Sequence, residues 1–319
     1  MTRRKALIGT FATGALIGSR MEFVKVSQPI TSVKFDLPVN ACDCHTHIFD
    51  PVQFPYAPDR TYTPEAALPE EMAALHRALH VDRVVIVTPS VYGTDNSATL
   101  FGMRARGRNA RGVAVINERT EDSDLDTMAK AGVRGIRLNL VTTGPVDAGA
   151  ARRRVTWASD RIKRRNWHIQ IYATPGLISS LKGAIQDSPV PVVFDHFGGL
   201  QAEWGVKQPG FSDLVELVGS GEAYVKLSGA YRASKLGPDY PDLVPLARAL
   251  IAANQERVLW GTDWPHPATT PPTGGPRTDV TPFLQIDDGR LLNQLAVWAP
   301  EPDVRQKILV ANPARLYGF

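Results

Sequence analysis

Short apolar runs alternate along the chain with longer amphipathic or polar stretches, and no internal repeat interrupts them. Val33–Pro38 leads into Ala41–Phe49, the first candidate strand. Arg83–Thr88, Gly112–Asn117, Gly135–Leu140, His168–Ala173, Val190–Asp195, Ala223–Ser228 and Arg257–Thr262 follow. Each is rich in Val, Ile, Leu or aromatic residues, as expected of strands buried on both faces. Between them, Pro69–Leu79, Ser123–Ala131, Arg152–Arg165, Gly176–Ile185, Phe211–Ser220 and Tyr240–Asn254 read as helices. Eight strands alternating with helices predict a parallel α/β architecture. A doubly wound sheet would want a Gly-rich phosphate loop after its first strand, and His45-Thr46-His47 stands there instead.

Polar residues gather where these runs end. His45 and His47 lie on the first strand, Ser90 beyond the second, Arg137 and Asn139 on the fourth, Tyr172 on the fifth, His196 after the sixth and Asp263 after the eighth. A (β/α)₈ barrel draws its reactive groups from the C-terminal ends of several strands. The pattern therefore predicts one such barrel over residues 33–319, with the Pro-rich stretches Pro51–Pro64 and Thr269–Pro276 as loops at its mouth.

Composition adds little to this, and charge adds one point. Hydrophobic content of 43% and charged content of 21% are those of an ordinary globular chain. The formal net charge is +4, and residues 1–20 alone supply it through Arg3, Arg4, Lys5 and Arg20. The neutral remainder has no basic face for nucleic acid. The basic run Arg152–Arg165 reads as a solvated helix face. Residues 1–32 are expected to form a leader and linker. A basic start followed by the apolar run Ala6–Gly18, too short to span a bilayer, resembles a twin-arginine export signal and implies a periplasmic location. Cys42 and Cys44 are expected as buried strand residues on opposite faces, outside any disulfide.

The chemistry centres on Asp43-Cys44-His45-Thr46-His47. Two histidines two apart on a strand share a face, which makes half a zinc site that a third nitrogen or a carboxylate would complete. Val192–Gly198 ends an apolar strand in His196, and Trp260–Pro265 ends another in Asp263. An acid set between bulky aromatics needs partners or shifts its pKa.

At residues 43–50 (Asp-Cys-His-Thr-His-Ile-Phe-Asp), 88–96, 133–139, 193–198, 226–229, 261–266 and 312–317 the chain resembles the amidohydrolase-2 type metal-dependent hydrolases. The nearest branch is that of the 2-pyrone-4,6-dicarboxylate lactonases and sulfomuconolactone hydrolases. The resemblance implies a (β/α)₈ TIM barrel of the amidohydrolase superfamily and hydrolysis of a small anionic lactone. It matches His45, His47, His196 and Asp263 to the family's catalytic and metal-binding positions. It places substrate contacts on Tyr62, Ser90, Arg137, Tyr172 and Arg232. The superfamily usually binds zinc or a similar divalent metal, while this branch lacks a bridging lysine and includes members that work without metal. One departure stands out. The dicarboxylate lactonases carry a second arginine shortly after the one matched by Arg137, and here the stretch reads Leu140-Val141-Thr142-Thr143-Gly144.

On this reading Asp263 acts as general base on a water attacking the lactone carbonyl. The histidines either hold a zinc ion or donate hydrogen bonds to the oxyanion, and Arg137 forks onto a substrate carboxylate. Two alternatives are a metal-dependent nonoxidative decarboxylase on the same barrel and a non-catalytic periplasmic ligand-binding protein.

Overall fold

The computed structural model of the protein describes residues 26–319 except 143, 145 and 271–273. The expected export signal therefore lies outside the described residues. Eight parallel strands follow one another around a single sheet: β1 (Cys42–Thr46), β2 (Arg83–Val87), β3 (Ala110–Ala114), β4 (Val133–Asn139), β5 (His168–Tyr172), β6 (Val192–Phe194), β7 (Ala223–Ser228) and β8 (Val258–Gly261). The sheet closes on itself just beyond the last strand. Asp263 N donates to His45 O and His47 N to Trp264 O, each at 2.9 Å, with Thr46 bridging Trp264 in parallel. The fold is the expected TIM barrel. No helix among the described residues is long and apolar enough to cross a membrane.

Side-chain alternation sorts the strands into two cores. Cys42, Cys44, Val85, Val87, Val113, Val193, Tyr224 and Leu259 pack in the barrel interior, where Leu316 and Tyr317 from the C-terminal helix join them. Val84, Ile86, Ile136, Ile169, Ile171 and Val225 face the helices. Cys42 and Cys44 thus share one face, correcting the expectation of opposite faces: residues two apart on a strand point the same way. Both are free thiols.

Strict alternation would then send His45 outward, opposite to Cys44. The pairing of β1 with β2 slips between Asp43 and Thr46, and this bulge turns His45 inward beside Asp195 and Asp263. Bulges of this kind re-aim side chains next to reactive centres. Asp43 points outward, to His76 on the helix Pro69–Leu79.

That helix has the predicted ends. Pro69 occupies its first turn, where the missing N–H costs nothing, and His80 closes it in a left-handed conformation. Two helical regions had no counterpart in the reading above: Ser97–Arg106, and the C-terminal set beginning with Asp288–Trp298. On the helix Ala148–Ile162 and just past it, Arg161 and Arg165 pair with Asp122 and Arg165 also with Asp126, as befits a solvated face. Residues 27–31 lie on the barrel: Thr31 donates to Asp287, and Ser27 O accepts from the Trp264 indole. Thr63–Pro64 and Val280–Thr281 pair in parallel and tie the two Pro-rich loops together.

Candidate active site

The interior becomes polar toward the C-terminal ends of the strands. Along β5, His168, Gln170 and Tyr172 point inward; along β7, Tyr224, Lys226 and Ser228 do the same. Seven of the nine expected site residues line one narrow pocket of about 20 Å³ at the mouth: His47, Tyr62, Ser90, Arg137, Tyr172, His196 and Arg232. Tyr172, His196 and Arg232 also line an adjoining cavity of about 120 Å³. His45 and Asp263 lie beneath, fully buried.

Asp263 is held by one oxygen and open at the other. Its Oδ2 accepts from the Tyr231 hydroxyl and from Arg232 Nε, both at 2.6 Å. Its Oδ1 has no hydrogen-bond partner and faces His47 Nε2 at 3.6 Å and His45 Nε2 at 3.7 Å. Burial alone would raise its pKa. The neighbouring Arg232 guanidinium and the histidines instead hold it well below the usual carboxylate range. Arg232 also donates from Nη2 to Pro267 O, so the structure places this expected substrate contact as an anchor of the carboxylate at the pocket wall. Gly229 allows the approach: its left-handed backbone (φ +58°) passes so close that an added Cβ would stand 2.9 Å from His196 Nδ1.

The tautomer of His47 follows from its partner. Nδ1 lies 2.7 Å from Val87 O, and a carbonyl only accepts, so Nδ1 carries the proton. In the neutral ring Nε2 turns a lone pair toward Asp263 Oδ1, 3.6 Å away. A divalent cation would bridge two lone-pair atoms that face each other in this way. Ligand atoms around a tetrahedral zinc stand about 3.3–3.6 Å apart, close to the separations found. His45, His47 and Asp263 thus fit a divalent metal. A backbone-anchored imidazole is the usual support for such a ligand. His196 groups with His45 and Asp195, and its Nδ1 lies 4.0 Å from Asp263 Oδ2.

Beneath the pocket lies a charged network that the sequence reading passed over. Asp195 Oδ2 accepts from Arg137 Nε at 3.2 Å and from Gln170 Nε2 at 3.0 Å. Its Oδ1 lies 3.2 Å from His45 Nδ1 and 3.5 Å from Lys226 Nζ. Lys226 donates to Gln170 Oε1 at 2.6 Å and is fully buried. Burial works against the Asp195 charge, but His45, Lys226 and Arg137 bring its pKa well below normal. Burial pushes the Lys226 ammonium down, with Asp195 opposing. The signal was present: a lysine in the middle of Tyr-Val-Lys-Leu-Ser and a glutamine in His-Ile-Gln-Ile-Tyr are polar residues on inward positions of apolar strands. Tyr231 was missed as well. Its ring stacks edge-on against His266, itself 3.1 Å from Asp288, so the hydroxyl is aimed at Asp263 from a packed wall.

The amidohydrolase family pattern matches residues 42–319, nearly the whole described barrel. The chain belongs to the amidohydrolase family. This amidohydrolase is 35% identical over 290 residues to a 4-sulfomuconolactone hydrolase of Rhizobium radiobacter, covering 90% of this chain and 92% of that one. It is also 35% identical over 298 residues to a 2-pyrone-4,6-dicarboxylate hydrolase of Comamonas testosteroni, covering 89% and 92%. An apo crystal structure from Agrobacterium tumefaciens superposes with a TM-score of 0.76 at 25% identity, covering 90% of this chain and 99% of that one.

The buried histidines give the amidohydrolase a pH signature. Burial lowers His168 to about 3 and His196 to about 4, against about 6.5 for an unfolded histidine. Between these values the unfolded chain binds more protons than the native one, so stability rises with pH. The denaturation midpoint is expected to hold above about pH 6.5 and to fall steadily as pH drops toward about 4. A urea midpoint that stays flat from pH 7 to 4.5 would contradict the buried, neutral state of these rings.

Proposed function

We propose that this amidohydrolase opens a small anionic lactone, with Asp263 as general base. The observation that carries the reading is a half-free carboxylate buried beneath a pocket lined by the Arg137 guanidinium, Tyr62 and Ser90. The names of the relatives, lactone hydrolases over nine-tenths of the chain, support the same reaction class. Asp263 Oδ1 would take the proton from a water as its oxygen attacks the lactone carbonyl. The ring C–O bond then breaks, and the proton returns to the leaving alkoxide. His47, anchored through Nδ1 to Val87 O, presents Nε2 toward the site. Bound zinc, held by His45, His47 and Asp263, would supply carbonyl polarisation and a more acidic water.

Arg137 has two roles to separate, because its Nε already bonds Asp195. Charge-assisted hydrogen bonds contribute about 1.5–3 kcal/mol each. Arg137→Met is therefore expected to cost roughly 10- to 100-fold in kcat/KM on a carboxylated lactone. A neutral lactone reports only the lost Asp195 contact, and its decline should be much smaller. Equal losses on both would remove Arg137 from anion recognition. The position that would bear a second guanidinium is Thr143, outside the described residues, so a mono- and a dianionic lactone should be compared on the same enzyme. A large preference for the dianion would show that a second carboxylate has its own partner.

A further inference from the structure

We propose that the substrate carries an uncharged apolar arm, of aryl or short alkyl type, held in a chamber beside the reaction pocket. This inference rests on the lactone-hydrolase reading and narrows its substrate class. Ser90, Arg137 and Asn139 line both the narrow pocket over His47 and a cavity of about 360 Å³ on the β2–β4 side of the mouth. One wall is thus common to both. A cavity of about 150 Å³ with apolar walls takes up benzene, so this chamber has room for a substituted ring. The pocket over His47, at about 20 Å³, has room for little beyond a reacting carbonyl.

Away from the Arg137 wall, the lining of the chamber is largely apolar. Val115, Ile116, Leu138, Leu140 and the flat indole of Trp157 supply apolar surface. Two of the polar groups among them are already spent on the protein. The Asn139 amide donates to Thr142 Oγ1 and accepts from the backbone N–H groups of Val141 and Thr142. The Thr88 hydroxyl is bonded to Asn96 and Thr99. At the rim, Glu118 and Arg154 are exposed and opposite in sign, so the net charge of the lining is that of Arg137. Recognition there reduces to shape and burial of apolar area, while the anion stays with Arg137.

The test uses a carboxylated γ-lactone bearing either a methyl or a 2-phenylethyl arm, together with the ring-opened hydroxy acid of each. Calorimetry on the full-length protein should show the phenylethyl acid binding roughly 10- to 100-fold more tightly than the methyl acid, from about 100 Å² of extra apolar burial. Thr94→Trp, at an exposed loop position on the rim, fills the chamber, and Trp157→Ala removes its flat wall. Both should reduce the preference to a few-fold while leaving binding of the methyl acid within about twofold. Equal affinities of the two acids for the wild type, or a preference kept in full by both variants, would overturn the proposal. Turnover of the lactones separates the two readings. If the arm preference holds in binding but neither lactone is opened, the chamber stands and the lactone-hydrolase reading falls.

Discussion

Asp263→Asn is expected to lower kcat on a lactone substrate by about a thousandfold, within the 10²- to 10⁴-fold range of a positioned base. The amide keeps an oxygen for the Tyr231 hydroxyl and Arg232 Nε, and it replaces the open Oδ1 by an NH₂ that has no basicity. Backbone strain should not increase. Asp263 sits at φ +66°, a left-handed conformation that Asn tolerates as well as Asp does. The melting temperature should therefore move by only a few degrees, chiefly because Arg232 loses its counter-charge. Single-turnover and steady-state assays on purified protein would check this. Near-normal turnover in the variant would take Asp263 out of the reaction.

A second replacement acts on the scaffold. Asp43 is fully buried and accepts four hydrogen bonds: from His45 N and Thr262 N at Oδ1, and from Thr262 Oγ1 and His76 Nε2 at Oδ2. It joins β1, the end of β8 and the helix Pro69–Leu79. Asp43→Ala leaves four buried donors without an acceptor, and each that finds no other partner costs about 1–3 kcal/mol. Unfolding in guanidinium should show that loss as an earlier midpoint with little change in slope. A loss below about 1 kcal/mol would mean that water replaces the carboxylate at the seam.

The parts of this molecule legible in the sequence are those fixed locally. Apolar strands such as Val-Val-Phe-Asp and Val-Leu-Trp-Gly announce themselves by composition, and Pro69 marks its helix start by its own geometry. Ser97–Arg106 escaped because its apolar residues make only a weak stripe, so tertiary packing decides the helix. The inward turn of His45 was invisible for another reason. A bulge is a property of two paired strands, and neither strand carries it alone. The same holds for Arg232, whose guanidinium meets Asp263 through a contact spanning β7 and β8. Ionisable residues at strand ends could be gathered into one mouth from the sequence. Which oxygen of Asp263 is anchored and which is open could not, since that depends on Tyr231 being held from behind by His266.

The bonds that close the barrel are made by the backbone of the proposed reactive residues, Asp263 to His45 and His47 to Trp264 beside them. A growing chain carries the histidine pair from its first strand and lacks the carboxylate until its eighth has been made. On the proposed mechanism the reactive set is then complete only at ring closure, and a chain ending before Asp263 is expected to be inert rather than slow. The same coupling governs breathing motions in the finished enzyme. Any opening between the first and last strands would pull the open carboxylate oxygen of Asp263 away from both imidazoles.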